Sequence, residues 1–165
     1  MAPKSDRQWV LPDLILSPSN ALRARRELAA LEEYLQAQRL RPAGTATGLL
    51  PKVSRVLESF VTGNAVNLLQ PTDRADLATY LETVLQAPVV HISFAAEPSF
   101  AALQQITLWL RRAVQADVLV RVGIQPNIVA GCVVRTTNKY FDFSLRHRLD
   151  EQRGYLLEAL QDAQP

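Results

Sequence analysis

The chain contains few of the residues from which catalytic and metal centres are usually built. It has one cysteine and two histidines among 165 residues. A lone thiol, Cys132, excludes an internal disulfide and any multi-cysteine metal site. His91 and His147 have no cysteine or second histidine at metal-ligand spacing, and neither common nucleotide-binding glycine loop is present. We therefore expect no metal, no cofactor and no bound nucleotide.

The sequence also lacks a strong net charge and any long hydrophobic run. The formal net charge of +2 is too small to indicate nucleic acid binding by itself. No apolar segment approaches the ~20 residues that cross a bilayer, and residues 1–7 lack the apolar core of a secretion signal. We expect a chain that stays in the cytoplasm and reaches a membrane only through a partner.

Hydrophobic spacing predicts helices in the first half of the chain. Apolar residues recur three or four positions apart in segments that begin at Ser17-Pro18, near Leu50 and near Thr72. Ser17 and Pro18 suit a helix cap and the first helical position, and Gly63-Asn64 suits a left-handed cap. The sequence therefore predicts a tail at residues 1–12 and a small helical bundle at residues 13–87.

From residue 88 onward the hydrophobic period changes from that of a helix to that of a strand. Alternating apolar residues predict strands at 89–95 and at 118–124, with a helix over 99–114 between them. A polar break at 136–139 predicts a hairpin. Tyr140, Phe141 and Phe143 either all pack under the terminal helices, which we favour, or leave at least one aromatic ring exposed for contact with a partner protein. Residues 88–165 are thus predicted to form an α+β domain with a small mixed sheet, a hairpin and covering helices.

The segment between Gln125 and Ser144 carries the most informative pattern. Pro126 ends the preceding strand because it has no N–H to donate. The small residue Gly131 allows another backbone to approach closely. Asp142 and Ser144 can each cap a helix that begins near Leu145.

This order of elements resembles the C-terminal signature of the delta subunit of F-type ATP synthases, whose mitochondrial counterpart is the oligomycin-sensitivity-conferring protein. The family pattern has an acidic residue where this chain has Gln125, and a glycine where it has Ala130. The resemblance extends over about residues 88–160 and makes five residues structural motif positions: Pro126, Asn127, Gly131, Asp142 and Ser144. The family's N-terminal domain has six helices, whereas residues 13–87 supply about three.

The resemblance implies a non-catalytic stator subunit that links the peripheral stalk to the catalytic head during proton-driven ATP synthesis. Its implied partners are the N-terminal segments of the alpha subunits and the b subunit of the stalk. The implied location is peripheral, on the cytoplasmic face of the cell membrane. The implied mode of binding is a partner helix held in an apolar groove.

Basic residues are concentrated in the C-terminal half, and they leave several readings open. A partner-binding surface would include Arg135, Lys139, Tyr140, Arg146 and Arg148. A solvated face explains the same residues, and a stand-alone nucleic-acid-binding module is the alternative function. A hydrolase triad of Ser144, His147 and Asp142 is the weakest reading, because helix capping already explains two of its members. We expect no catalytic residue.

Overall fold

The computed structural model describes residues 8–40 and 51–155, except for the side chains of residues 147–149. The elements follow in the order α1 (Pro18–Arg39), α2 (Arg55–Gly63), α3 (Pro71–Leu85), β1 (Val89–Phe94), α4 (Phe100–Ala113), β2 (Leu119–Ile124), a 3-10 turn (Pro126–Ile128), β3 (Gly131–Arg135), β4 (Tyr140–Ser144) and α5 (Arg146–Glu151). Helices precede a sheet with further helices, which confirms the predicted α+β class.

The chain divides into two compact units. A helical unit comprises the described residues of Met1–Pro88 together with Gln104–Leu119. A sheet unit comprises Val89–Leu103 together with the described residues from Val120 onward. The chain therefore passes between the units three times.

Helix α1 begins where the sequence predicts. The Ser17 side chain accepts a hydrogen bond from the backbone N–H of Asn20, and the Asn20 side chain accepts one from the backbone N–H of Ser17. Pro18 occupies the first helical position, where its missing N–H costs nothing. The buried side of the helix is formed by Ala21, Ala24, Leu28 and Leu31.

Helix α2 begins later than predicted, because its cap is Ser54 and not a residue near Leu50, which lies outside the described residues. Glu27 on α1 accepts hydrogen bonds from the Ser54 hydroxyl at 2.6 Å and from the Ser54 N–H at 3.1 Å. This carboxylate ties the start of α2 to the side of α1. The left-handed position after α2 is Ala65, with a φ of 49°, so the cap predicted at Gly63-Asn64 is displaced along the chain.

Part of the predicted tail is docked on the helical unit. The Trp9 ring stacks on the Tyr80 ring with centroids 4.8 Å apart. The Asn64 side chain accepts from the Val10 N–H at 2.7 Å and donates to the Val10 carbonyl at 3.0 Å. Asn64 is therefore used as a clamp for the N-terminal segment, which explains why it is buried.

The four strands form one mixed sheet in the order β2-β1-β3-β4. β1 and β2 run parallel, since the Leu119 N–H bonds to the Pro88 carbonyl and the Gln125 N–H bonds to the Phe94 carbonyl. β3 pairs antiparallel with β1 and with β4. The predicted hairpin joins β3 to β4, and the Thr136 N–H closes it on the carbonyl of Lys139 at 2.9 Å.

Burial along β2 differs from the predicted alternation. Val118, Leu119 and Val120 are all buried, whereas Val122 is 39% exposed and Ile124 is 54% exposed. Burial therefore decreases from the start of the strand to its end and does not follow the side-chain period. Helix α4 ends at Ala113, one residue before the predicted end of the helix, and Val114 is 62% exposed.

Candidate functional site

Strand register gives the sheet one entirely apolar surface. The residues that share this surface form two rows across the four strands, and we call them the apolar face: Ile124, Phe94, Cys132 and Phe143 in the first row, and Val122, Ile92, Val134 and Phe141 in the second. Side chains of directly paired residues lie on the same side of a sheet. Each of the eight positions is therefore occupied by an apolar residue or by a cysteine.

The apolar face is buried at its centre and exposed at both edges. Ile92 is 2% exposed, whereas Ile124 on β2 is 54% exposed and Phe143 on β4 is 59% exposed. The rings of Phe141 and Phe143 stack with their centroids 6.1 Å apart. Burial raises the pKa of the half-buried Cys132 thiol, which favours its uncharged form. Large exposed apolar side chains at the edge of a sheet are candidates for contact with another protein.

The aromatic residues of β4 correct the sequence analysis. Tyr140, Phe141 and Phe143 are 58%, 42% and 59% exposed, so the favoured prediction that all three pack under the terminal helices is wrong and the alternative of an exposed aromatic ring is confirmed. β4 is an edge strand, paired with β3 on one side. Side chains at an edge have neighbours on that side alone, which leaves large rings exposed.

The opposite side of the sheet is polar. We call this side the polar face. It consists of one row across the strands, Arg121, His91, Arg135 and Tyr140, and of four neighbouring residues, Ser93, Val133, Gln125 and Asp142. A cavity of about 360 Å³ opens on it, lined by His91, Ser93, Gln125, Val133, Arg135 and Tyr140. The guanidinium carbon of Arg135 lies 5.7 Å from the centre of the Tyr140 ring, within the range of a cation–π contact.

The structure brings together three of the five residues proposed for partner binding. Arg135 and Tyr140 are paired across β3 and β4, and Lys139 lies in the turn that joins these strands. Arg146 lies on α5, with its Nε 4.0 Å from a carboxylate oxygen of Asp150. The side chain of the fifth residue, Arg148, is outside the described residues.

The motif residues lie around one tight backbone crossing. Pro126 and Asn127 form the exposed 3-10 turn after β2. Gly131 has a φ of 91°, and a β-carbon added there would clash with the carbonyl oxygen of Phe143. Between them Val129 has a φ of 66°, and the Ala130 N–H bonds to the Ile128 carbonyl. This three-residue turn is the strained classic γ-type, and no residue pattern in the sequence predicted it.

Asp142 and Ser144 contact each other directly. The Ser144 N–H donates to Asp142 Oδ1 at 2.8 Å. The Ser144 hydroxyl also bonds to this carboxylate and is the main cause of the lowered pKa of Asp142. The bond of Asp142 thus closes a turn just before α5, which begins at Arg146 and not at Leu145. A catalytic triad requires the acid to orient a histidine, whereas this carboxylate faces the serine.

The described residues form neither a metal-ion cluster nor a membrane-spanning helix. Among residues 8–40 and 51–155, no three His, Cys, Asp or Glu side chains are grouped as a metal ion would require. No helix in the same ranges combines the length and hydropathy of a membrane span.

The residues proposed for partner binding include Arg135 and Tyr140 of the polar face and no residue of the apolar face. The proposed site contained neither Arg121 and His91 on the polar face nor Ile124 and Phe94 on the apolar face. Their alternation was visible in the sequence. The neighbours that they meet depend on strand order and register, which the sequence did not provide.

The comparison with protein families concerns the segment that forms this sheet. Residues 86–156 match the family model described as ATP synthase delta (OSCP) subunit. This range contains all four strands, both faces of the sheet and the motif from Pro126 to Ser144. The match confirms the resemblance that the motif indicated. Residues 86–156 of this chain are thus similar to the ATP synthase delta (OSCP) subunit family.

Proposed function

We propose that this chain is a non-catalytic stator subunit of an F-type ATP synthase, which joins the peripheral stalk to the catalytic head during proton-driven ATP synthesis. The observation that carries the proposal is the apolar face, because all eight of its residues lie within the segment that matches the family. A stator resists the torque of the rotor, so its contacts must last. Apolar burial suits that role, because it depends little on salt.

The occupant that we assign to the apolar face is an amphipathic helix of the peripheral stalk. Four strands about 4.8 Å apart make a surface roughly 14 Å wide, and an α-helix with its side chains is about 10–12 Å in diameter. Such a helix would contact the exposed edge residues, Ile124 on β2 and Phe143 on β4, and not the centre, where Ile92 is already buried. Docking of an apolar helix stripe into a groove is a common mode of recognition.

For the catalytic head we assign the N-terminal segments of the alpha subunits to the helical unit. A cavity of about 560 Å³ there supports the assignment. Its wall is formed by a residue of α1, by residues of α3 and by the residue that follows α3. An ion pair between Arg25 and Glu82, 2.7 Å long, spans the two helices at this cavity. The proposed location is the cytoplasmic face of the cell membrane, reached through these partners.

Affinity purification from native membranes tests the proposal. The intact chain should recover the alpha, beta and stalk subunits of ATP synthase. Phe143→Glu and Ile124→Glu each place a charge on the apolar face, where burial against a helix is costly, and each should lower recovery at least tenfold. Leu69→Glu is the control, because Leu69 is 72% exposed in the helical unit.

Loss of recovery can be assigned to docking, and not to unfolding, when the unfolding midpoints of the three variants match that of the intact chain. Equal recovery with all three variants would contradict docking on the apolar face. Recovery of nucleic acid with no ATP synthase subunit would contradict the stator role and favour the nucleic-acid-binding alternative.

A further inference from the structure

The polar face contains a basic row that the proposed function does not explain. Arg135 pairs directly with His91. The two hydrogen bonds that set the parallel register of β1 and β2 bring Arg121 beside His91 on its other side. Two guanidinium groups and an imidazole therefore occupy neighbouring positions on three adjacent strands.

Within the described part of the chain, these two arginines differ from Arg23 and Arg25 of the helical unit. Arg23 pairs with Glu27 at 2.9 Å and Arg25 pairs with Glu82 at 2.7 Å. Arg121 and Arg135 are exposed, and neither has a carboxylate among the described residues at ion-pair distance. Both guanidinium groups are therefore available to an anion from outside the chain.

The nearest acidic group on this face is already engaged. Asp142 stands opposite Val133, in the row next to the basic one. Its carboxylate accepts the hydrogen bond from Ser144 described above. The basic row is therefore left to a ligand from outside the chain.

The cavity beside the row is suited to a carboxylate. Arg135 is held over the Tyr140 ring, so its planar fork is oriented before a ligand arrives. An arginine fork matches a carboxylate with two parallel hydrogen bonds. Ser93 and Gln125 supply neutral donors in the same cavity wall.

We propose that the polar face binds the carboxylates of an acidic segment of a partner protein, one at Arg135 and one at Arg121. Two strand spacings, roughly 10 Å, separate the two arginines, which suits two carboxylates better than a single phosphate. Glutamates one helical turn apart, with β-carbons about 5–6 Å apart, reach both positions through their side chains. This surface lies on the side of the sheet opposite the apolar face, so the inference does not depend on stalk docking there.

Titration of the full chain with hexa-L-glutamate at low salt tests the proposal. Arg121→Gln and Arg135→Gln should each weaken binding about tenfold, because each removes charge-assisted hydrogen bonds. Arg135→Lys, which keeps the charge and loses the fork, should weaken it less than Arg135→Gln. The control is Arg112→Gln on α4, an exposed arginine with the same change of charge, which should bind within twofold of the intact chain.

Four results would overturn the proposal in chains with unchanged unfolding midpoints. The first is that hexaglutamate does not bind. The second is that all three glutamine variants lose affinity equally, which would indicate that net charge alone causes binding. The third is that inorganic phosphate binds more tightly than hexaglutamate and depends on the same two arginines. The fourth is that an oligo-dT strand binds more tightly than hexaglutamate through these arginines, which would assign the row to nucleic acid.

Discussion

At the scale of single residues, Gly131 occupies a position that other residues cannot adopt without strain. Its φ of 91° lies in the region that favours glycine, and the Phe143 carbonyl and the Ser144 backbone crowd the place of a β-carbon. Gly131→Ala should lower the free energy of unfolding by about 1–3 kcal/mol, because the clash is with backbone. Urea denaturation measures the loss.

Gly123→Ala is the matched control for this prediction. Gly123 lies in the same sheet, and a β-carbon there would make ordinary contact with the Ser93 hydroxyl at 3.4 Å. If both alanine variants unfold at the same urea concentration, the crowding at Gly131 has no energetic consequence, and the interpretation of the motif is wrong.

Tyr80 has a buried hydroxyl that, within the described part of the chain, has no hydrogen-bond partner. Removal of an unsatisfied buried hydroxyl relieves its desolvation cost, so Tyr80→Phe should stabilise the protein at pH 7 by about 1 kcal/mol. The stacking on Trp9 is kept, since phenylalanine has the same ring. A clear loss of stability in Tyr80→Phe at pH 7 would show that the hydroxyl is satisfied.

The same substitution should change the alkaline pH dependence of stability. Burial, followed by the charge of Asp117 and opposed by that of Arg111, raises the pKa of Tyr80 from 10.0 to about 12. The folded state therefore favours the neutral phenol. This contribution is complete below about pH 10 and is lost as the pH rises toward 12. Intact protein should lose more stability than Tyr80→Phe over that range, as unfolding midpoints at each pH would show.

At the scale of elements, Arg111 on α4 connects separate segments of the helical unit. Its guanidinium donates to the carbonyls of Pro12, Ile15 and Val118. Burial lowers the pKa of Arg111, and the charges of Asp13, Tyr80 and Asp117 oppose that shift. One side chain thus satisfies the backbone of the N-terminal segment and of the residue that precedes β2.

Arg111→Met should therefore cost about 2–4 kcal/mol of unfolding free energy, because it leaves partly buried carbonyls without donors. Arg112→Met, at the neighbouring exposed position, should stay within about 0.5 kcal/mol of the intact chain. Urea denaturation of the two variants decides the matter. Equal destabilisation would mean that methionine disturbs α4 at either position and that the carbonyl clamp is unimportant.

The elements also show which features a sequence can predict. The start of α1 was predictable because Ser17 and Pro18 act within one turn. The exposure of Phe141 and Phe143 was not, since it depends on which strand lies at the edge of the sheet. Long-range hydrogen bonds that fix register, such as the one from Gln125 to Phe94, leave no local signal.

At the scale of the whole molecule, the candidate site could be predicted from the sequence only in part, because its two faces depend on the pairing of distant strands. Its motif residues were recognisable in order along the chain, and residues 86–156 match the family that the motif resembles. The two faces of the sheet emerged only once four strands were paired. The three helices up to residue 85 lie outside the matched segment, whereas Gln104–Leu119 of the helical unit lies inside it.

The central claim is that the apolar face holds a helix of the peripheral stalk, and a photo-cross-link from that face tests it most directly. Phe143, 59% exposed, is replaced by p-benzoylphenylalanine, and membranes carrying the intact complex are irradiated. We predict a cross-link to a stalk subunit, identified by mass spectrometry, and none when the same group replaces Leu69 in the helical unit. Cross-links from position 143 only to proteins outside ATP synthase, or to nucleic acid, would contradict the account.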